Sequence, residues 1–280
     1  RHEQQSCGYS EVSTRDSGES MIKLLPQYEG VVVAPPPTNK NGKSTSRFYS
    51  VDDVPYGRVT SILNVIGKPA LVPWAIRETT NKMRAVMESS MGTTIDTVWV
   101  EEALQAAKDY PDEARDAAAD KGKDIHAAID DFVTNGQWPS DDQITKCVLA
   151  YHEWSSTHPM EPIATEFTVW SPTEFYAGTI DEVCILPNGH YAVIDFKTGG
   201  AYPEAALQVA AYANALEELT AIPVDSAWIL RIPRDQPKDG GPQFFTKFMD
   251  TEQIQDNLEA FRNAMHLQRR LEGKNLWNDY

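Results

Sequence analysis

Apolar and polar positions follow two different rhythms along this chain. Between Arg58 and about Met87, "RVTSILNVIGKPALVPWAIRETTNKMRAVM", apolar residues recur at helical spacing on either side of a Gly-Lys-Pro turn. Glu101 to Ala107 and Asp112 to Thr134 carry the same period, and Asp141 to Ser156 reads as a further helix with Asp141 as its N-cap. The texture then changes. "IATEFTVWSP", "YAGTIDEVCIL" and "HYAVIDFKT" are β-rich runs separated by turn residues. A helix from about Pro203 to Leu219, a strand "SAWILRIP", its hairpin partner "QFFTKFM" and a helix from about Thr251 to Leu271 complete the pattern. No internal repeat is visible. The order of elements predicts an α/β fold, with a mainly helical N-terminal region over residues 21–120 and a sheet-containing core with a C-terminal helix over 121–280.

Composition narrows the class without naming it. The apolar content is ordinary, and 280 residues suffice for one large domain or a domain with a smaller one. Residues 1–20 are polar and aperiodic, which predicts a disordered tail or a leader, with Met21 as a natural start. No apolar run is long enough to span a bilayer and the N-terminus lacks the apolar centre of a secretory signal, so the expectation is a soluble cytoplasmic protein with no membrane partner. Cys7, Cys147 and Cys184 are far apart and form no C-x-x-C pair, which predicts free thiols and no iron–sulfur cluster.

The formal charge of −16 argues against a module that coats nucleic acid through bulk electrostatics. It leaves room for an enzyme that gathers carboxylates around metal ions and touches phosphates in a local groove. Two basic groups, Arg58, Lys68, Arg77, Lys82 and Arg84 in one segment and Arg262, Arg269, Arg270 and Lys274 in another, read first as solvated helix faces. Gly42-Lys43-Ser44 is half of a phosphate-binding loop, but Pro37 stands where that motif needs glycine, and the reading is rejected.

The chemistry concentrates in "AVIDFKTGG", residues 192–200, where an apolar strand carries Asp195 and Lys197 on one face. Upstream, Pro187-Asn188-Gly189 suits a three-residue hairpin loop that pairs Leu186 with His190 and so sets Asp181 directly opposite Asp195. A two-residue turn would shift the register and part the acids. Opposed carboxylates repel, and a hard divalent cation, Mg²⁺ or Mn²⁺, resolves the conflict. Lys197 then supplies positive charge beside the metal for a phosphoryl oxygen.

"GTIDEV…AVIDFKTG…QVAAY" resembles the PD-(D/E)XK nucleases, in particular the RecB-type branch. The matching positions are Gly178 with Asp181, Asp195 with Lys197, and Gln208 with Tyr212, the last two sharing a helix face. "KGKDIHAAIDDF" supplies the branch's upstream Gly122 and His126, and "TEFTVW" offers Glu166 for the glutamate of the first core strand, with Glu174 as a rival. The likeness runs from about Lys121 to Leu219. More loosely, "VTSILNVIGKPALVPWA" is similar to the helical N-terminal portion of phage RecB-like exonucleases and the mitochondrial genome-maintenance exonuclease. Ile180 replaces the proline of the superfamily's name, as is usual in this branch, and the cluster-binding cysteines of some relatives are absent.

The resemblance implies a restriction-endonuclease-like mixed sheet flanked by helices. It implies a Mg²⁺- or Mn²⁺-dependent exonuclease acting on DNA ends in recombination, repair or phage replication, with DNA and recombination or replication proteins as partners. It assigns the metal to His126, Asp181, Asp195 and the backbone carbonyl of Phe196, with Glu166 assisting. Lys197 positions water and stabilises the transition state, and Gln208 and Tyr212 support it, unless Tyr212 simply packs on the sheet. A structure-specific or nicking endonuclease and a catalytically silent DNA-binding module are the competing readings. Trp74 and Trp99 are either base-stacking or core residues, and His152, His158, His190 and His266 are ordinary histidines.

Overall fold

A computed structural model describes residues 22–39, 44–200, 202–232 and 244–272. The expected tail, Cys7, Met21, most of the Gly-Lys-Ser segment and Lys274 lie outside the described residues. Strands β1 (Val33–Ala34), β2 (Phe48–Val51) and β3 (Val54–Arg58) come first, followed by helices α1 (Val59–Ile62), α2 (Leu71–Ser89), α3 (Thr97–Asn135) and α4 (Asp142–Ser155). Next are β4 (Glu161–Ser171), β5 (Tyr176–Ile185), β6 (Tyr191–Lys197), α5 (Glu204–Thr220), β7 (Val224–Arg231), β8 (Phe245–Asp250) and α6 (Thr251–Glu272).

The N-terminal region is less helical than expected. Residues 48–58 form a hairpin whose two-residue loop, Asp52-Asp53, has both residues at positive φ, 46° and 64°. That is the conformation a tight hairpin demands, and Asp tolerates it, but it is less telling in a sequence than Asn-Gly. Helix α3 also runs unbroken where two helices were expected. Pro111 lies inside it, between Tyr110 and Asp112, with Ala106, Ala107, Glu113 and Ala114 close by, and α2 packs along its N-terminal part.

Among the described residues the sheet has eight strands, ordered β1-β2-β3-β5-β6-β7-β8, with β4 pairing β5. It is mixed: β4, β5 and β6 are antiparallel neighbours, and β6 and β7 are parallel, joined across α5. Strand β6 is central and buried on both faces, which explains its nearly unbroken apolar run. Alternate residues serve two cores. Val193, Ile229 and Val183 pack with Val209 and Leu216 of α5 and Phe261 of α6, whereas Ile194, Ala192 and Leu230 pack with Ile125 and Ile129 of α3 and Tyr151 of α4. Among the described residues no helix is long and apolar enough to cross a membrane.

The hairpin register is the expected one. Leu186 N–H donates to the His190 carbonyl at 2.8 Å, Gly189 adopts φ 84°, and the ladder runs to Glu182 opposite Ile194. There β5 and β6 part. Asp181, next in line, accepts the Phe196 N–H at 2.6 Å through its side chain instead of continuing the ladder. Further along β5, Tyr176 and Ala177 pair in parallel with Gly57 and Arg58 of β3. The divergence of two central strands thus opens a notch lined by Asp181 and Lys197, with Asp195 buried beside it.

Candidate active site

Each side of the notch is held by a close approach that only glycine permits. On α3, a Cβ at Gly122 would lie 2.8 Å from Thr198 Oγ1 at the end of β6. The helix therefore comes near enough for His126, one turn later, to set Nδ1 3.4 Å from Asp181 Oδ1 and its ring edge-on to Phe196. On the opposite face, a Cβ at Gly178 would meet the Tyr212 ring at 2.2 Å, so α5 lies directly against β5. The two glycines of the sequence motif are spacing devices.

Three donors converge on the α3 side. One ligand atom from each of His126, Glu166 and Asp181 lies within 4.8 Å of the others. Glu166 of β4 falls opposite Asp181 of β5, between the Thr165–Glu182 and Phe167–Ile180 pairs, and has a left-handed backbone at φ 46°. For a glutamate inside a strand that geometry is strained by about 1–3 kcal/mol and marks a functional position. Although Glu166 opens to the cleft, burial of its carboxyl and then the Asp181 charge push it up to about 7. Burial lowers the His126 value, but the Asp181 hydrogen bond and nearby carboxylate charges outweigh this and raise it. Without a cation the cluster has more acid than it can comfortably ionise.

A second group lies on the α5 side. Asp195, only 2% exposed, sits 2.7 Å (Oδ2) and 2.9 Å (Oδ1) from Lys197 Nζ, the shorter contact lacking hydrogen-bond geometry. Gln208 Nε2 donates to Asp195 Oδ1 at 3.0 Å, and Lys197 Nζ donates to Gln208 Oε1 at 3.3 Å. Burial pushes the Asp195 carboxyl up, opposed first by the Lys197 charge. Burial acts against the Lys197 ammonium, but Asp195 and Asp181 more than offset it and hold its value above the ordinary one. Lys197 is therefore a fixed cation. Gln208 Nε2 is also 3.1 Å from the Tyr212 hydroxyl, and burial drives that phenol well above its ordinary value. Tyr212 thus packs on the sheet and touches Gln208 through its hydroxyl.

The donor set differs from the expected one in detail. Glu166 stands with His126 and Asp181, whereas Asp195 is turned toward Lys197 and Gln208; Phe196 lines the same cavity. Glu174 is taken by Arg262, whose Nη2 lies 2.7 Å away, so the rival to Glu166 belongs to an ion pair between the β4–β5 turn and α6. His158 stacks on Trp154, His190 pairs with Asp225, and His152 packs against Phe132 and Trp138. Trp99 donates to Ser90, away from the notch, whereas Trp74 lines it. Arg115, Lys123 and Tyr202, which occupy no motif position, share the cavity of about 830 Å³ with Glu166 and Asp181.

Glu182, beside Asp181, was also unanticipated. It is 1% exposed on the α4 side, accepts from the Tyr151 hydroxyl at 2.9 Å, and burial pushes it up to about 7. Its folded-state value lies above the unfolded one, so its stabilising contribution is complete below about pH 4.5 and is lost as pH rises through about 7. Glu182→Gln keeps an acceptor for Tyr151 and should raise thermal stability at pH 8 by on the order of 1–3 kcal/mol. Melting curves in EDTA at pH 5 and pH 8 check this: a gain confined to the higher pH is expected, and an equal loss at both would refute it.

A mixed sheet flanked by helices, with acids and a lysine where two central strands part, defines a nuclease-type α/β core. A family model described as the PD-(D/E)XK nuclease superfamily matches residues 79–275, and the chain belongs to that superfamily. No curated protein matches the chain. Among solved structures it is similar to the crystal structure of LHK-Exo in complex with dAMP, at 15% identity over 56% of this chain and 90% of that one, with a TM-score of 0.26.

Proposed function

We propose that the protein is a Mg²⁺- or Mn²⁺-dependent DNA exonuclease of the RecB type, acting on DNA ends in recombination, repair or phage replication. The observation that carries this reading is the meeting of two groups in one notch: His126, Glu166 and Asp181 within reach of one another, and Lys197 locked between Asp195 and Gln208. The first group fits a hard divalent cation, offering two carboxylates and one imidazole. His126, Glu166 and Asp181 would hold it, with Asp195 and the Phe196 carbonyl completing the set that the superfamily suggests. When bound, such a cation supplies Lewis acidity toward a phosphoryl oxygen.

The chain's own residues do the rest. Asp195 and Gln208 fix the direction of the Lys197 ammonium, so its charge is in place before the phosphate arrives and needs no reorganisation as negative charge grows in the transition state. Lys197 also orients the attacking water for in-line displacement. Tyr212 and Gly178 keep α5 close enough to hold Gln208. Neutralisation of the acid cluster by a cation accounts for how so acidic a chain approaches DNA.

The test is a gel assay of end-labelled linear single- and double-stranded DNA beside a closed circle, in Mg²⁺, Mn²⁺ or EDTA. Shortening of linear DNA that needs metal and spares the circle is expected. Cleavage of the circle would replace the exonuclease by an endonuclease, and an absence of cleavage in both metals would leave a silent DNA-binding module.

A further inference from the structure

The cleft beside the metal site has a composition that the hydrolytic groups do not explain. Ser90 meets Trp99 and Lys82 meets Tyr110, so α2 runs back along α3, and near the start of α2 Trp74 lines the same cavity as His126, Asp181 and Lys197. No described residue of α2 is fully buried, so Trp74 is not a core anchor. Tyr202, which lines the same cavity, is 47% exposed. Its ring lies against Gly200, where a Cβ would stand 3.0 Å from Cζ, so the loop forms a bed for the ring. Two aromatic faces, one on a helix and one on a loop, thus border the path to the acids.

The helix between them is graded. Arg115, Ala119, Gly122 and His126 follow at i, i+4, i+7 and i+11 along one side of α3 and all line the cavity, about 16 Å from first to last. The outer end is cationic, the middle is small enough to admit a backbone, and the inner end is a metal donor. Arg115 is held by Asp112 at 2.8 Å, with Asp116 at 3.7 Å, and Lys123, also in the cavity, by Asp120 at 2.9 Å. Both are exposed intrahelical pairs, worth about 0–1 kcal/mol, so either cation can exchange its carboxylate for a phosphate at little cost.

From this placement, and resting on the nuclease reading of the acids, we infer that the cleft takes single-stranded DNA, its bases stacked on Trp74 and Tyr202 and its phosphates drawn along α3 by Arg115 and Lys123 toward His126. An unpaired strand offers base faces to aromatic rings, and stacking of this kind tolerates any sequence. In a duplex those faces are occupied by neighbouring base pairs. A net charge of −16 with two available cations on the path leaves stacking as the main source of grip.

The experiment measures binding of the full chain to fluorescent oligo-dT, to an abasic strand of equal length and to a blunt duplex, with Ca²⁺ in place of Mg²⁺. Hydrolysis of the p-nitrophenyl ester of thymidine 5′-phosphate, in Mn²⁺, reads the metal site without the track. Oligo-dT should bind about tenfold or more tighter than the abasic strand or the duplex, and Trp74→Ala and Tyr202→Ala should each remove most of that preference. Trp74→Phe and Tyr202→Phe should keep it, and all four variants should hydrolyse the ester within about twofold of wild type. Equal binding of the three ligands by the wild type, or unchanged oligo-dT binding by both alanine variants, overturns the proposal even if linear DNA is degraded. Selective oligo-dT binding by a wild type that cleaves neither DNA nor ester would sink the nuclease reading and leave the track standing.

Discussion

Lys197→Ala is expected to slow cleavage of linear DNA about 100- to 1,000-fold, the usual consequence of removing one preorganised stabiliser of transition-state charge. Lys197 Nζ is held by Asp195 and Gln208 at 2.7–3.3 Å and lines the same cavity as Glu166 and Asp181. Its removal also leaves Asp195, 2% exposed, without the charge that most opposes its protonation. The carboxyl then takes up a proton, which spares the fold part of the cost of an unpaired buried charge. Single-turnover rates at saturating enzyme separate this loss from weakened binding, and circular dichroism melting separates it from unfolding. Arginine should not restore the rate, because a planar fork does not fit a pocket built around a point charge. An alanine variant that keeps more than a tenth of the wild-type rate would remove Lys197 from the site.

The second large effect is expected at Gly178, a residue with no chemistry of its own. A methyl group there would stand 2.2 Å from Tyr212 Cε1 and 2.9 Å from Cζ, inside any tolerable contact. The Tyr212 ring is 4% exposed and has no open side to swing into, so α5 must move or the ring must turn. Either displaces Gln208 and, through it, Lys197. Gly178→Ala should therefore cost about 1–3 kcal/mol of stability, the range for overpacking. It should also lower the cleavage rate by more than tenfold, since a shift near 1 Å at a reacting group has effects of that size. Adding Tyr212→Ala should recover much of the stability but not the rate, a non-additivity that a double-mutant cycle reads directly. Additive losses would mean that the two residues do not press on each other.

Much of this site could be read from the chain, and the reasons are local. Pro187-Asn188-Gly189 sets the loop length, the loop sets the register, and the register carries the ladder to Glu182 opposite Ile194, one step short of Asp181 and Asp195. The helical spacing of Gln208 and Tyr212 likewise needed only the chain. What was hidden depends on the third dimension or on unusual backbone. Nothing in "TEFTVW" announces that Glu166 adopts a left-handed conformation, and its choice over Glu174 follows from where Arg262 of a distant helix arrives. Asp195 had two suitors, metal and lysine, and only the placement of Gln208 shows which way its carboxylate turns. The Asp52-Asp53 hairpin and the passage of α3 through Pro111 run against propensity, and packing decided both.

At 39 residues α3 is about 58 Å long, and its anchorage is uneven. Its last third, with Gly122, Ile125 and Ile129 buried, is built into the same core as β6, whereas the outer part buries only Ala103 and Ala107, where α2 lies along it. The molecule thus has two tiers of cooperativity. The outer hairpin can fray and re-form at a fraction of the free energy needed to melt the sheet, while His126 stays fixed because it belongs to the deeper tier. A wall beside the cleft can in this way yield to an incoming polymer without loosening the atoms that would cut it.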